Sequence, residues 1–234
     1  FVAAGDDVSR PQRCSRVVEA WLASGRKLDL IAAPLQDIDA EGRVQAIITP
    51  SDLGAYRNLR DWANKLPHVV GAAQAWTRRL LECFGPLPEG VVAEDLIMVF
   101  RAIGSGGAIT LAEPLVQYRR GGISRRVRSL SAQDVIMRLK KNNRHALVEL
   151  PLLLRDAELM GALADVQPVI APQLVRERYI HDLFHAATLR GRLRCFWAAA
   201  DVPLGARCRL LVYAACPGLL APSFWLKRRF ARRD

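Results

Sequence analysis

No CxxC pair occurs in this chain. Its five cysteines, at 14, 83, 195, 208 and 216, are scattered and odd in number. That pattern excludes a disulfide framework or a zinc knuckle and reads as reduced thiols in a cytosolic protein. No basic stretch followed by an apolar run opens the chain, so its first residues do not read as a signal peptide. There is no internal repeat and no low-complexity tract. The uncharged run Leu210–Leu226 holds 17 residues and contains Pro217, Gly218 and Pro222, whereas a spanning helix needs about 20 apolar residues. Acids are scarce in the second half: residues 1–125 carry 15 Lys/Arg against 14 Asp/Glu, and residues 126–234 carry 19 against 9. Nearly all of the net charge of +11 therefore lies in the second half. Such a half either attracts an anionic partner or is a solvated, arginine-rich helical surface.

What is present is a globular composition, 51% hydrophobic and 24% charged, enough to bury a sizeable core. "FVAA" reads as the end of a strand that runs into Gly5-Asp6-Asp7. "SRPQRCSRVVEAWLA" predicts a helix with Ser9 as N-cap, Pro11 in the first turn and an apolar stripe of Val17, Val18, Trp21 and Leu22. "LDLIAAPLQDID" reads as one strand and "VQAIITPSDL" as a second extended segment. "LGAYRNLRDWANKL" reads as a helix. "HVVGAAQAWTRRLLECFG" passes from an extended piece into a helix ended by Gly85-Pro86. "AEDLIMVFRAIGSGG" is a helix that stops at glycines, and "AITLAEPLVQYRR" a strand pair or a bent strand. From about Ser129 the pattern is helical only. The expectation is an α/β fold over residues 1–128, part of a mixed sheet with flanking helices, and a basic, all-helical extension over 129–234.

Three clusters carry candidate chemistry. Asp6 and Asp7 follow a glycine at the predicted strand end, where α/β sheets bind ligands. Two adjacent carboxylates there suit a hard divalent cation, Mg or Mn, that also bridges phosphate oxygens; equally, one of them caps the next helix. Glu94 and Asp95 open an apolar helix, either as a cap that favours the helix dipole or as a general base facing a cleft. "YRRGGISRRVR" sets five arginines in residues 119–128. They form a phosphate-binding loop that includes Arg119 and Arg120, or a solvated linker.

In their order these motifs resemble glycosyltransferase family 2, the inverting nucleotide-sugar transferases with the GT-A fold. "GDDVSRPQR" is similar to the family's acidic metal motif. "VVGAAQAWTRRLLECFGPLPEGVVAEDLIMVFRA" is similar to its acceptor-side segment, and "AEPLVQYRRGGIS" to the strand and Tyr-Arg turn that follow. The resemblance covers roughly residues 1–125 and departs in two places. Ala4-Gly5-Asp6-Asp7 stands where the family often has Asp-X-Asp-Asp, and no His follows the Tyr-Arg turn.

The resemblance implies the C-terminal part of a catalytic domain, inactive by itself without the nucleotide-binding half. It implies a sugar moved from a nucleotide-sugar donor to a saccharide or lipid-linked acceptor, as in cell-envelope polysaccharide synthesis. Asp7 and Asp6 would hold the metal that neutralises the leaving diphosphate. Asp95, with Glu94 beside it, would take the acceptor's proton. Gly71 and Ala72 would leave room for a sugar, and Arg119 and Arg120 would bind diphosphate or an acidic acceptor. The competing expectation is a non-catalytic module that docks on a membrane or another anionic partner.

Other features are read as structural. His181 and His185 sit at i, i+4 but lack a third ligand, and read as partly buried helix histidines rather than a metal pair. Trp21, Trp62 and Trp76 fit core positions. Phe224, Trp225, Leu226 and Phe230, with "KRRFARR", read as an interfacial tail on anionic lipid at the inner face of a membrane or as a packed helix with a basic end. Nothing beyond charge suggests nucleic acid.

Overall fold

Pro34 divides what reads as one strand into two. A computed structural model describes Phe1, residues 5–119, residues 131–222 and Phe224. In it, β1 is Val8–Ser9, α1 Arg13–Ala23, β2 Leu30–Ala32, β3 Leu35–Ile38 and β4 Val44–Ile48. Strands β2 and β3 flank Ala33-Pro34 and enter different sheets, because proline offers no N–H to continue a ladder. Helix α2 is Leu59–Asn64, β5 Gln74–Trp76, α3 Arg79–Phe84, α4 Glu94–Gly104, β6 Ala108–Thr110 and β7 Val116–Arg119.

One sheet has the order β1-β7-β3-β4 and the other β5-β2-β6. In the first, β3 pairs parallel with β7 and antiparallel with β4, and β1 pairs antiparallel with β7. In the second, β2 is parallel to β6 and antiparallel to β5. A core of Val17, Ile31, Ala33, Leu35, Ala73, Ala75, Leu115 and Val116 joins α1 to strands of both sheets. Helix α4 is apolar nearly all round. Ile97 to Ile103 are all buried, and Phe100 meets Trp62 edge-on at 4.8 Å between ring centroids. The helix therefore runs through the interior and delivers its first turn, Glu94-Asp95, to the surface.

The second half is helical: α5 is Ala132–Leu159, α6 Leu163–His185, α7 Leu189–Ala198 and α8 Leu204–Ala215. This is the α/β class with a helical C-terminal region that the sequence predicts. The contacts divide the chain into two compact units, Phe1–Arg125 with Leu152–Gln167, and Arg126–Pro151 with Pro168–Asp234. The two helices that cross this division carry prolines at the crossings, Pro151 in α5 and Pro168 in α6.

In the first unit, residues 152–167 are tied to α4 by charge. Arg101 and Asp156 are both fully buried, and Arg101 Nε donates to Asp156 Oδ2 at 2.7 Å. Arg155 donates to the other carboxylate oxygen at 2.7 Å and to the Phe84 carbonyl at 2.9 Å. In the second unit, Tyr179, Ile180, Leu183, Val202 and Leu210 form the core.

Several local expectations are corrected. Phe1 lies outside any strand, and Val2–Ala4 lie outside the described residues. The first strand comes after the acids, because Val8 and Ser9 are the residues that pair with Gln117 and Val116. Ser9 is a strand residue, not an N-cap; Gln12 precedes α1 without a side-chain cap. The segment 53–66, expected as one helix, is a single 3-10 turn, Leu53–Ala55, followed by the short α2. His181 and His185 are exposed, with rings stacked at 4.1 Å; their i, i+4 spacing places them on the solvent side of α6. The arginine loop beyond Arg119, with Arg120, lies outside the described residues, as does the tail beyond Phe224. Among the described residues no helix is long and apolar enough to cross a membrane.

Candidate functional site

Asp6 and Asp7 occupy the turn that enters β1, beside the end of β7. Asp7 Oδ1 accepts the backbone N–H of Arg119 at 3.2 Å. Its other oxygen, Oδ2, is buried and has no hydrogen-bond partner. Burial pushes the Asp7 carboxyl above the ordinary carboxylate range. The Asp6 charge adds to that rise, while the Arg119 N–H and the charges of Arg13 and Arg119 oppose it. Asp6 itself is exposed.

The Arg119 side chain is committed to backbone. Its Nη1 donates to the carbonyls of Asp39 (3.1 Å) and Ala40 (2.6 Å), and its Nε to that of Asp6 (3.4 Å). It thereby ties the acidic turn to the β3–β4 turn. That is a positioning task; the guanidinium has donors engaged before any phosphate arrives.

Gly71 and Ala72 precede β5 in a short 3-10 turn. A Cβ on Gly71 would stand 3.1 Å from Asp95 Cβ and 3.6 Å from both its Cγ and Oδ2. The glycine backbone therefore lies directly on the Asp95 side chain. Asp95 Oδ1 accepts the Leu96 N–H at 2.8 Å, so the residue is oriented at the first turn of α4, where the helix dipole favours the carboxylate. Gln74 Nε2 donates to the Asp95 carbonyl at 3.4 Å. Glu94, one residue earlier, is exposed.

One residue that sequence reading passes over connects these two places. Arg13 begins α1 and is buried. Its Nη1 donates to Ser9 Oγ at 2.9 Å, and its Nη2 donates to the carbonyls of Ala72 (3.0 Å) and Gln74 (3.3 Å). Burial lowers its pKa, and the Asp7 charge works against that fall. The order Asp7, Arg13, Ala72, Gly71, Asp95 is thus continuous through electrostatics and contact. Arg13 lies inside a run of alternating basic and polar residues, and only its burial distinguishes it from Arg10 or Arg16.

The donor set at the acidic turn is all oxygen. Among the described residues no group of three or more His, Cys, Asp or Glu converges as metal ligands. The pair Asp6-Asp7 fits the way magnesium is often bound, by one or two carboxylates with water and substrate phosphates completing the shell. The unpartnered Asp7 Oδ2 is an acceptor such a cation would satisfy. No protein-family model, no curated protein and no solved structure matches the chain.

Proposed function

We propose that this chain is part of an inverting glycosyltransferase that moves a sugar from a nucleotide-sugar donor to a saccharide or lipid-linked acceptor. The observation that carries the reading is the seating of the Asp95 carboxylate against Gly71, with Arg13 linking that segment to the turn holding Asp6 and Asp7. The arrangement supports a division of labour between two acidic centres. A divalent cation, when bound by Asp7 and Asp6, supplies charge neutralisation to the leaving diphosphate. Asp95 accepts the proton of the acceptor hydroxyl as its oxygen attacks the anomeric carbon. Gly71 keeps side-chain bulk off Asp95. Arg119 holds the acidic turn in place. Arg13 ties β1, at Ser9, to Ala72 and Gln74 through its two-armed bond pattern.

The test is nucleoside diphosphate release by the full-length protein, supplied with magnesium or manganese and a panel of nucleotide sugars and acceptors. Release that depends on one donor and is lost in Asp95→Asn supports the reading. No release with any donor, alongside tight binding to an anionic surface, would instead assign the protein to non-catalytic docking.

A further inference from the structure

Helix α7 turns three of its large apolar residues outward. Leu189, Leu193 and Trp197, at i, i+4 and i+8, are 59%, 41% and 72% exposed. Arg190 and Arg194 form a second exposed row beside them. The face of α7 that flanks this row is already occupied. Phe196 is buried, the Arg207 guanidinium lies over its ring at 5.2 Å from the centroid, and Arg207 Nη1 donates to the Phe196 carbonyl at 3.0 Å. Thr188 caps the helix, its hydroxyl accepting the Gly191 N–H at 3.1 Å. The helix cannot bury the Leu-Leu-Trp row by rolling inward without giving up these contacts. A contiguous apolar row ending in an exposed tryptophan marks a surface that something covers.

Charge selects the occupant. Residues 183–222 contain five arginines and a single acid, Asp201. A second copy would set this basic surface against its own kind, which is unfavourable. A surface offering both hydrocarbon and negative charge satisfies both rows at once. We infer that α7 is an interfacial helix that seats Leu189, Leu193 and Trp197 in the headgroup layer of an anionic membrane, with Arg190 and Arg194 on lipid phosphates. Ten residues of helix span about 15 Å, so α7 lies along the surface and does not cross. Tryptophan suits that layer, since its ring is apolar and its N–H wet, and arginine stems reach past apolar surface to the charged plane. This inference does not depend on the transferase reading or on the C-terminal tail.

The experiment is flotation of the full-length protein with phosphatidylcholine vesicles, with and without phosphatidylglycerol. Binding is expected only to the anionic vesicles and is expected to weaken with salt, as screening shortens from about 10 Å at 0.1 M to about 3 Å at 1 M. Arg190→Gln with Arg194→Gln should weaken it about thirtyfold, at about fivefold per arginine near the surface. Leu193→Ser with Trp197→Ser should weaken it about tenfold or more. All four side chains are exposed, so circular dichroism and melting should match the parent. Undiminished flotation of both double variants, equal binding to neutral vesicles, or no flotation of the parent would each overturn the inference. So would a concentration-dependent dimer in sedimentation that the same variants abolish, which would make the face a contact between copies.

Discussion

Gly71 and Asp95 touch across a gap that a side chain would close: a Cβ at position 71 would lie 3.1 Å from Asp95 Cβ. Gly71→Ala should therefore displace the Asp95 carboxylate by a few tenths of an ångström or more. The fold should lose about 1 kcal/mol, the cost of modest overpacking, visible as a small drop in melting temperature. Turnover should fall much further, by about a hundredfold, because small misplacements of a reacting group are costly. A variant that melts lower and turns over normally would show that the position of Asp95 does not govern the rate.

The buried Arg101–Asp156 pair predicts a dependence of the α/β unit on the helical region. Asp156→Ala leaves the Arg101 guanidinium buried without its carboxylate, and breaking such a pair costs about 3–5 kcal/mol. Denaturant unfolding should show a loss of that size. A loss below about 1 kcal/mol would mean that solvent reaches Arg101 once the acid is gone.

Tyr179 gives the second unit a signature at high pH. Burial raises its phenol to about 12, and its hydroxyl donates to the Arg207 carbonyl at 3.2 Å. Between the ordinary value of 10 and about 12 the folded state keeps a proton that the unfolded chain releases, so stability falls as pH rises through that window. Tyr179→Phe removes the titration and the hydrogen bond together. The parent should be more stable than the variant below pH 10 and should lose that advantage as pH climbs toward 12. A difference that stays constant across the window would place the phenol in contact with water.

The α/β class was legible because apolar runs and turn residues alternate up to about residue 128 and a helical period follows from about Ser129. The acids at 6, 7 and 95 and the small Gly71 stand out by type and spacing, and the fold gives Gly71 and Asp95 a shared surface. What could not be read was pairing at long range. Nothing local to Asp156 reports that its partner lies 55 residues earlier on α4, so residues 152–167 read as part of the helical extension. Arg13 was hidden for the same reason, since its partners Ala72 and Gln74 contribute only backbone carbonyls, which leave no mark in a sequence. Ser9 was misread as a cap because a serine before an amphipathic stretch suits either a cap or an edge strand, and pairing with Val116 decided the matter.

The most direct test of the two-centre account is a titration of nucleoside diphosphate release against magnesium or manganese, comparing the full-length protein with Asp7→Asn and Asp95→Asn. Asp95→Asn should lower kcat by about 10²–10⁴-fold at every metal concentration, as expected for loss of a general base, with donor affinity little changed. Asp7→Asn should lose donor affinity together with rate and should recover part of both as metal is raised. A metal-rescued Asp95→Asn, an Asp7→Asn indifferent to metal, or full activity in both variants would contradict the account.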